Sequence, residues 1–483
     1  MNHRTALARR TVEAVSSTPP PPLDAVPGIS GARGWIDLDL GVRELWILPD
    51  LHWIAAGEPP PDEPSHAIAL CHPSGRIREA ALESAAAPAV LPLVAVRCAD
   101  WVRPVRERAL EVLRKTLPDA GPRTLVAVAA VVLRLAARRH GGVARDLAEE
   151  ILRSAGPEAA DALLAADDRA ARRLGHRIAI EQERLSPARL AAIAAADEDV
   201  VVQQLCADAA LAAVREGARD GAREGARDEA RYNEVLPPLL RSRHPRVRAS
   251  GVTELHRAGR PGEAVAFLSD RAPLVRACAR WVLRQHGIDP LPLHRAACSS
   301  PGVSPGAAAG LGDCGTREDA ALLWPLLADP RPPVRARAVA ALRALDAVEP
   351  ERLAPLLDDP SATVIRETAT ALTPYAARLP EGPLFERLAA DRPRSVRTSM
   401  FRLLAAHRPM VALRCFLTAL DDPDLHVRAR TTLTRWSPAD ATPAYRALPG
   451  DERASLDRLL ERAATVLDER QHTLLRWSLG TGR

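Results

Sequence analysis

The stretch DPRPPVRARAVAALRAL, Asp329–Leu345, holds a turn dipeptide, a Val-Arg step and then apolar residues at helical spacing. Val334, Ala338, Ala341, Leu342 and Leu345 fall at i, i+4, i+7, i+8 and i+11, one stripe of an α-helix. The pattern recurs in LDDPSATVIRETATAL, ADRPRSVRTSMFRLL and LDDPDLHVRARTTL, whose arginines are Arg366, Arg397 and Arg428. From Arg335 onward the steps between these arginines are 31, 31 and 31 residues. A fixed period of about 30 residues predicts stacked supersecondary units rather than one closed globule.

Earlier arginines extend the series: Arg78, Arg106, Arg248 and Arg276, with steps of 28 from Arg78 to Arg106 and from Arg248 to Arg276. The gap of 59 between Arg276 and Arg335 leaves room for one degenerate unit near Gly306. Asp100, Asp270, Asp329, Asp391 and Asp422 each stand six residues before their arginine, whereas Asp359 stands seven before Arg366. Ser242 and His72 take the place before Arg248 and Arg78. Upstream of the turns lies another apolar helix with a proline, Pro238, Pro325 or Pro355, that is expected to kink it.

Two short helices, a D-P turn, a Val-Arg start and a kinked first helix resemble a HEAT repeat. The compact D-P-x-x-x-V-R-x-x-A-x-x-x-L form is most similar to the HEAT-like repeats of phycobilisome lyases and their relatives, and it runs from Ile68 to Trp436 with gaps. The resemblance implies an all-α, right-handed α-solenoid of roughly 11–13 helical hairpins with terminal caps. It also implies a structural ladder between neighbouring units. Carried over, that ladder comprises Asp100/Arg106, Asp270/Arg276, Asp329/Arg335, Asp391/Arg397 and Asp422/Arg428.

Composition agrees with short, close-packed helices. Aromatics are 3% against an apolar fraction of 47%, a poor stock for base-stacking platforms. The net charge of +5 arises from near balance, 66 basic against 61 acidic residues, and Lys115 is the sole lysine. Seven scattered cysteines without a C-x-x-C pair read as reduced, buried thiols of a cytoplasmic chain. The N-terminus lacks the apolar core of a secretory signal, and the longest apolar run, 125–133, is too short to span a membrane.

Taken in order, residues 1–34 carry STPPPPLDAVPGISGARG and are expected to form a disordered, Pro-rich leader. Residues 35–64 form a Trp-rich cap and linker, with Trp35, Trp46 and Trp53 and the alternation Ile36-Asp37-Leu38-Asp39-Leu40. A β-hairpin turning near Gly41 and a short helix over 42–56 both fit, as do shielding the first repeat and docking a partner. Residues 65–214 are HEAT-like repeats whose signature decays after about Leu117, with Gln203 the best worn anchor. REGARDGAREGARDEAR, 215–231, repeats every four residues and reads as an inserted charged helix or loop. Its arginines form either a solvated face or a phosphate grip. Residues 232–436 are well-preserved repeats, and 437–483 are expected to cap the end with one or two amphipathic helices.

No catalytic motif stands out. GLGDCG, 310–315, lacks the strand and Lys-Ser/Thr of a phosphate cradle and reads as a turn in a worn repeat. His66, Cys71 and His72 have no companion pair at zinc spacing and read as satisfied side chains at a repeat edge. Positions two and eight after the motif arginine should lie away from the core stripe. They hold Arg108 and Arg114, Arg337 and Arg343, with Arg284 and Arg430 elsewhere. Second helices line the concave side of this architecture, so these arginines with Trp281 and Trp436 are the candidate partner-binding residues. A base-excision role like that of HEAT-like alkylpurine glycosylases would need clustered aromatics and a carboxylate. The sequence therefore points to a non-enzymatic scaffold for a protein or peptide, without cofactor, metal or membrane, with nucleic-acid binding through the arginines as the alternative.

Overall fold

In the computed structural model, residues 3–84, 87–220 and 225–481 are described, the side chains of 217–220 and 225–228 excepted. Among them every regular element is helical and no strand occurs. The chain divides into two compact units, Met1–Val247 and Arg248–Arg483, each with its own apolar core.

Each unit is an α-solenoid of helical pairs. Five pairs run from Glu63–Cys71 with Gly75–Glu83 to Pro187–Ala196 with Val200–Asp220, and Gly225–Arg241 with Pro245–Glu254 leads from the first unit to the second. Six more run from Pro261–Ala264 with Pro273–Gln285 to Pro409–Ala419 with His426–Leu433, twelve in all along the described residues. In the second unit the second helices pack on one another in sequence: Pro305–Cys314, Pro332–Ala344, Ala362–Leu372, Arg394–Ala405. The stripe read from the sequence is the core stripe: Val334, Ala338, Ala341, Leu342 and Leu345 are all buried. Ala336 and Val339 are buried as well, because this helix has a neighbour on both sides.

Prolines break the first helices as expected at two places. Ala320–Leu323 tightens into the 3-10 helix Trp324–Ala328 at Pro325, and Pro350–Leu353 into Ala354–Asp358 at Pro355. Pro237 and Pro238, by contrast, lie inside the uninterrupted helix Gly225–Arg241.

The N-terminal expectation fails. The described part of the expected leader, residues 3–34, is not disordered: His3–Val15 is a helix burying Leu7, Ala8, Thr11 and Ala14. It packs on a second helix, Gly31–Arg43, so the run over 35–43 is neither a hairpin nor the start of a helix at 42. Gly41 permits the approach, since a Cβ there would stand 2.2 Å from the carbonyl oxygen of Arg4. The strand-like alternation misleads because its acidic residues face inward. Asp37 and Asp39 are buried, Asp37 accepting from Arg4 Nε at 2.9 Å and Asp39 paired with Arg43 and Arg97. Only His52–Ala56 answers to the helix expected within 42–56.

GLGDCG is also not a turn: residues 310–314 complete the helix Pro305–Cys314. At the foot of that helix a Cβ on Gly306 would lie 1.8 Å from the Ser269 carbonyl oxygen, so glycine lets the worn repeat dock at backbone distance. The charged run is split between Val200–Asp220 and Gly225–Arg241, with 221–224 and most of its side chains outside the described residues. The tail folds as Ala441–Arg446, Gly450–Ala463 and Glu469–Ser478.

Candidate functional site

Two kinds of arginine separate in this structure, and the difference defines the candidate surface. The first kind builds the ladder. Four motif arginines send NH1 back to the main-chain carbonyl six residues earlier: Arg78 to His72, Arg106 to Asp100, Arg276 to Asp270 and Arg335 to Asp329, at 2.8, 2.8, 2.9 and 2.8 Å. The acceptor is backbone, which explains why His72 can hold the place before Arg78.

The aspartate side chain serves the preceding unit instead. Asp100 accepts from Arg78 Nε and NH2 at 3.0 and 2.9 Å, Asp270 from Arg248 at 2.9 and 2.8 Å, and Asp359 from Arg335 at 2.7 and 2.7 Å. The same carboxylates accept from the backbone N–H two residues on, at Val102, Ala272 and Ser361, and so also cap their own turns. Burial alone would raise the Asp100, Asp270 and Asp359 carboxyls, but the arginine bonds and backbone N–H groups outweigh it and hold all three below the usual range.

The carboxylates above thus join neighbouring units, each coming from the turn after the arginine's own rather than from six residues before it, as the carried-over pairs had it. Asp329 instead accepts from Arg331, and two other carried-over members fall out. Asp391 is exposed, and no hydrogen bond or ion pair with a described residue engages it. Arg397 turns instead to the Arg392 carbonyl at 2.9 Å and to Asp422 and Asp424. Arg428 is exposed beside the Phe401 ring, because the helix His426–Leu433 starts one residue later after its aspartate than the others do. Arg366 fails for the related reason noted in its spacing. The extra residue rotates it to solvent, and Ile365 fills the buried place. Where the worn unit supplies no turn aspartate, Arg276 binds Asp313 at 2.9 Å.

The decayed region keeps the ladder under other residues. Arg172 NH1 reaches the Ala166 carbonyl at 3.2 Å, Gln203 Nε2 reaches Asp197 at 2.7 Å, and Arg173 clasps Asp199 at 2.8 and 2.9 Å. The offset of six residues in the first two was the available signal. In the cap, Arg97 and Arg78 converge on Asp100, with Asp39 on the far side of Arg97.

The second kind of arginine points outward. Arg114, Arg284, Arg337 and Arg343 are exposed, and no ion pair with a described residue engages them. Arg108 is instead held by Glu111 at 3.0 Å and Glu83 at 3.7 Å, and Arg430 lies 3.8 Å from Asp468. Trp281 is 42% exposed and meets His256 edge-on, with His256 Nδ1 3.1 Å from His286 Nε2. Trp436 is half-buried against the core, far along the chain from Trp281. Arg108 and Arg114 belong to the first unit and the other six candidates to the second, so the second unit holds most of the surface.

Chemistry elsewhere is structural. His66 is buried with Nε2 2.9 Å from the Ala81 carbonyl, so it lies in the core rather than at an edge, and His72 Nδ1 accepts from the Ser74 N–H. Among the described residues no three His, Cys, Asp or Glu side chains gather at metal distance. All seven cysteines are free thiols; burial pushes Cys98 and Cys206 up to about 12 and Cys298 up to about 11, far from thiolate reactivity at neutral pH. No described helix is long and apolar enough to cross a membrane.

No protein-family profile matches the chain, and no curated protein does. Among solved structures, it is similar to the karyopherin Kap121p bound to the SUMO protease Ulp1p, with 14% identity over 86% of this chain and 52% of that one, at a TM-score of 0.38. Kap121p bound to Pho4p gives the same 14%, 86%, 52% and 0.38. The chain thus spans about half the length of the structures it matches. At this level the likeness does not extend to a matched backbone, and the solenoid assignment rests on the chain's own helical pairs and rungs.

Proposed function

We propose that this protein is a non-catalytic scaffold that binds an acidic protein or peptide along the face formed by its second helices, the concave side in folds of this class. The observation that carries the reading is the division among its arginines. Those of the ladder are saturated by carboxylates and carbonyls, whereas Arg284, Arg337 and Arg343 stand exposed and without an ion pair to a described residue. Exposed guanidiniums at helical positions offer forked donors that fit carboxylates, and Trp281, on the same helix as Arg284, offers an aromatic anchor. The seven free thiols support residence in a reducing compartment such as the cytoplasm. The repeat's likeness to phycobilisome lyases supports common architecture rather than shared chemistry, since the motif residues are those that hold the stack together.

The test is affinity capture from the native cell, with nuclease-treated and untreated lysates, using the wild-type chain and an Arg284→Glu/Arg337→Glu/Arg343→Glu variant. A protein retained by the first after nuclease treatment and lost by the second supports the reading. Capture that disappears with nuclease, and that falls steeply with log salt on purified nucleic acid, refutes it in favour of phosphate binding.

A further inference from the structure

The helix Glu469–Ser478 turns one face to the core through buried Leu475 and Leu479 and leaves the other bare. Its outer face carries Leu474 at 55% and Trp477 at 72% exposure, an unusual display of large apolar side chains on a helix otherwise rich in charge. Beside them runs a groove of about 460 Å³, lined by Leu433, Trp436, Leu467 and Leu474 among others, roomy enough for an indole. Glu469 and Arg476 flank the same face. They stand seven residues apart, hence two turns along one edge, and neither has an ion pair to a described residue.

We infer that this face docks a second copy of the same chain, with the two Glu469–Ser478 helices antiparallel about a twofold axis. The charges of this face are self-complementary. An antiparallel copy centred between His472 and Thr473 sets Glu469 of each chain against Arg476 of the other, twice per pair. A parallel copy or an arbitrary acidic partner satisfies only one of the two charges. The same register brings each Trp477 to the level of the other chain's Asp468, whose carboxylate at the groove's edge can accept the indole N–H. Trp477 seated in the groove supplies the apolar anchor, and the paired charges fix register and direction more than they add affinity. One helix pair with two seated indoles is smaller than a standard interface, so the dimer should be in the micromolar class. The groove takes in Trp436, and its Asp468 lies 3.8 Å from Arg430, but none of Arg284, Arg337 and Arg343 lines it, so the inference does not rest on the proposed function.

Sedimentation equilibrium of the full chain between about 1 and 100 µM tests the inference. A dimer is expected, weakened at least about tenfold by Trp477→Glu. Glu469→Arg and Arg476→Glu should each weaken it, and the double reversal should restore it. A wild-type chain that stays monomeric throughout overturns the proposal, as does a dimer indifferent to Trp477→Glu, or a double reversal no better than the singles. Should Trp477→Glu lower the melting temperature, the exposed charge reversals decide the matter. A monomer that captures a different protein through Trp477 also overturns it.

Discussion

Replacing Asp359 by alanine strips Arg335 of the partners of its Nε and NH2, while NH1 keeps the carbonyls of Asp329 and Pro330 at 2.8 and 3.2 Å. The Asp359 side chain is 4% exposed and that of Arg335 10%, so little water reaches the orphaned guanidinium. Hydrogen bonds to charged groups contribute about 1.5–3 kcal/mol each, and unpairing a buried ion costs about 3–5 kcal/mol. The retained NH1 bonds and the partial exposure of Arg335 place the cost near the lower end, about 2–4 kcal/mol, including the lost cap on Ser361 N–H. For a unit of this size that is roughly 5–12 °C in melting temperature. Asp391→Ala in the same unit removes an exposed carboxylate and should change stability by less than about 0.5 kcal/mol. Motif spacing ranks the two the other way round, since Asp391 stands six before its arginine and Asp359 seven. Urea unfolding followed by circular dichroism, with coincidence of a second probe checked because repeat stacks can lose cooperativity, decides between the rankings. Equal costs, or a larger one for Asp391→Ala, would refute the account of the ladder.

Acid should loosen the stack within a defined window. The Asp100, Asp270 and Asp359 carboxyls are held below their ordinary range in the folded chain, so the stability they contribute is present above the unfolded carboxylate value and lost as pH falls through the folded one. Melting temperature should be nearly constant from about pH 8 to 5 and drop below about pH 4, and a flat profile to pH 3 would contradict this. Gly41→Ala drives a methyl group into the Arg4 carbonyl and should destabilise the first unit by more than 2 kcal/mol or so. Gly142→Ala, where a Cβ meets open space within the helix Gly141–Ser154, should stabilise it by about 0.5–1 kcal/mol. Thermal melts of the two variants check both signs.

The second unit was legible because its signal is apolar and periodic: Val334 to Leu345 announces a buried stripe, and the spacing of 31 announces a stack. The cap was illegible for the opposite reason. Apart from Leu7, its first helix buries alanine and threonine, which register weakly as core, and its second buries two aspartates that pass for a solvent-facing strand edge until Arg4, Arg43 and Arg97 are seen beside them. The ladder was half legible. The resemblance implied a ladder between neighbouring units, but the pairs it carried over stand six apart in sequence, whereas the carboxylates reached lie 22 or 24 residues on. The outward arginines were found by counting positions along a helix, and the exposure of Arg284, Arg337 and Arg343 agrees with that count.

The offset of six between turn carbonyl and guanidinium has a consequence for how this chain can change length. Steps of 28 and of 31 coexist along it, yet Arg78, Arg106, Arg276 and Arg335 all keep the same distance to their carbonyl. Residues added in the approach to the first helix only lengthen a surface segment, at an entropic cost that grows slowly with length. A single residue added between the aspartate and the arginine rotates the guanidinium by about a quarter turn and disconnects it, the fate of Arg366. Insertions and deletions should therefore be tolerated in the segments between repeats, but neither within the helices, whose buried stripes they would turn, nor in this six-residue window, where one codon is enough to sever two neighbours.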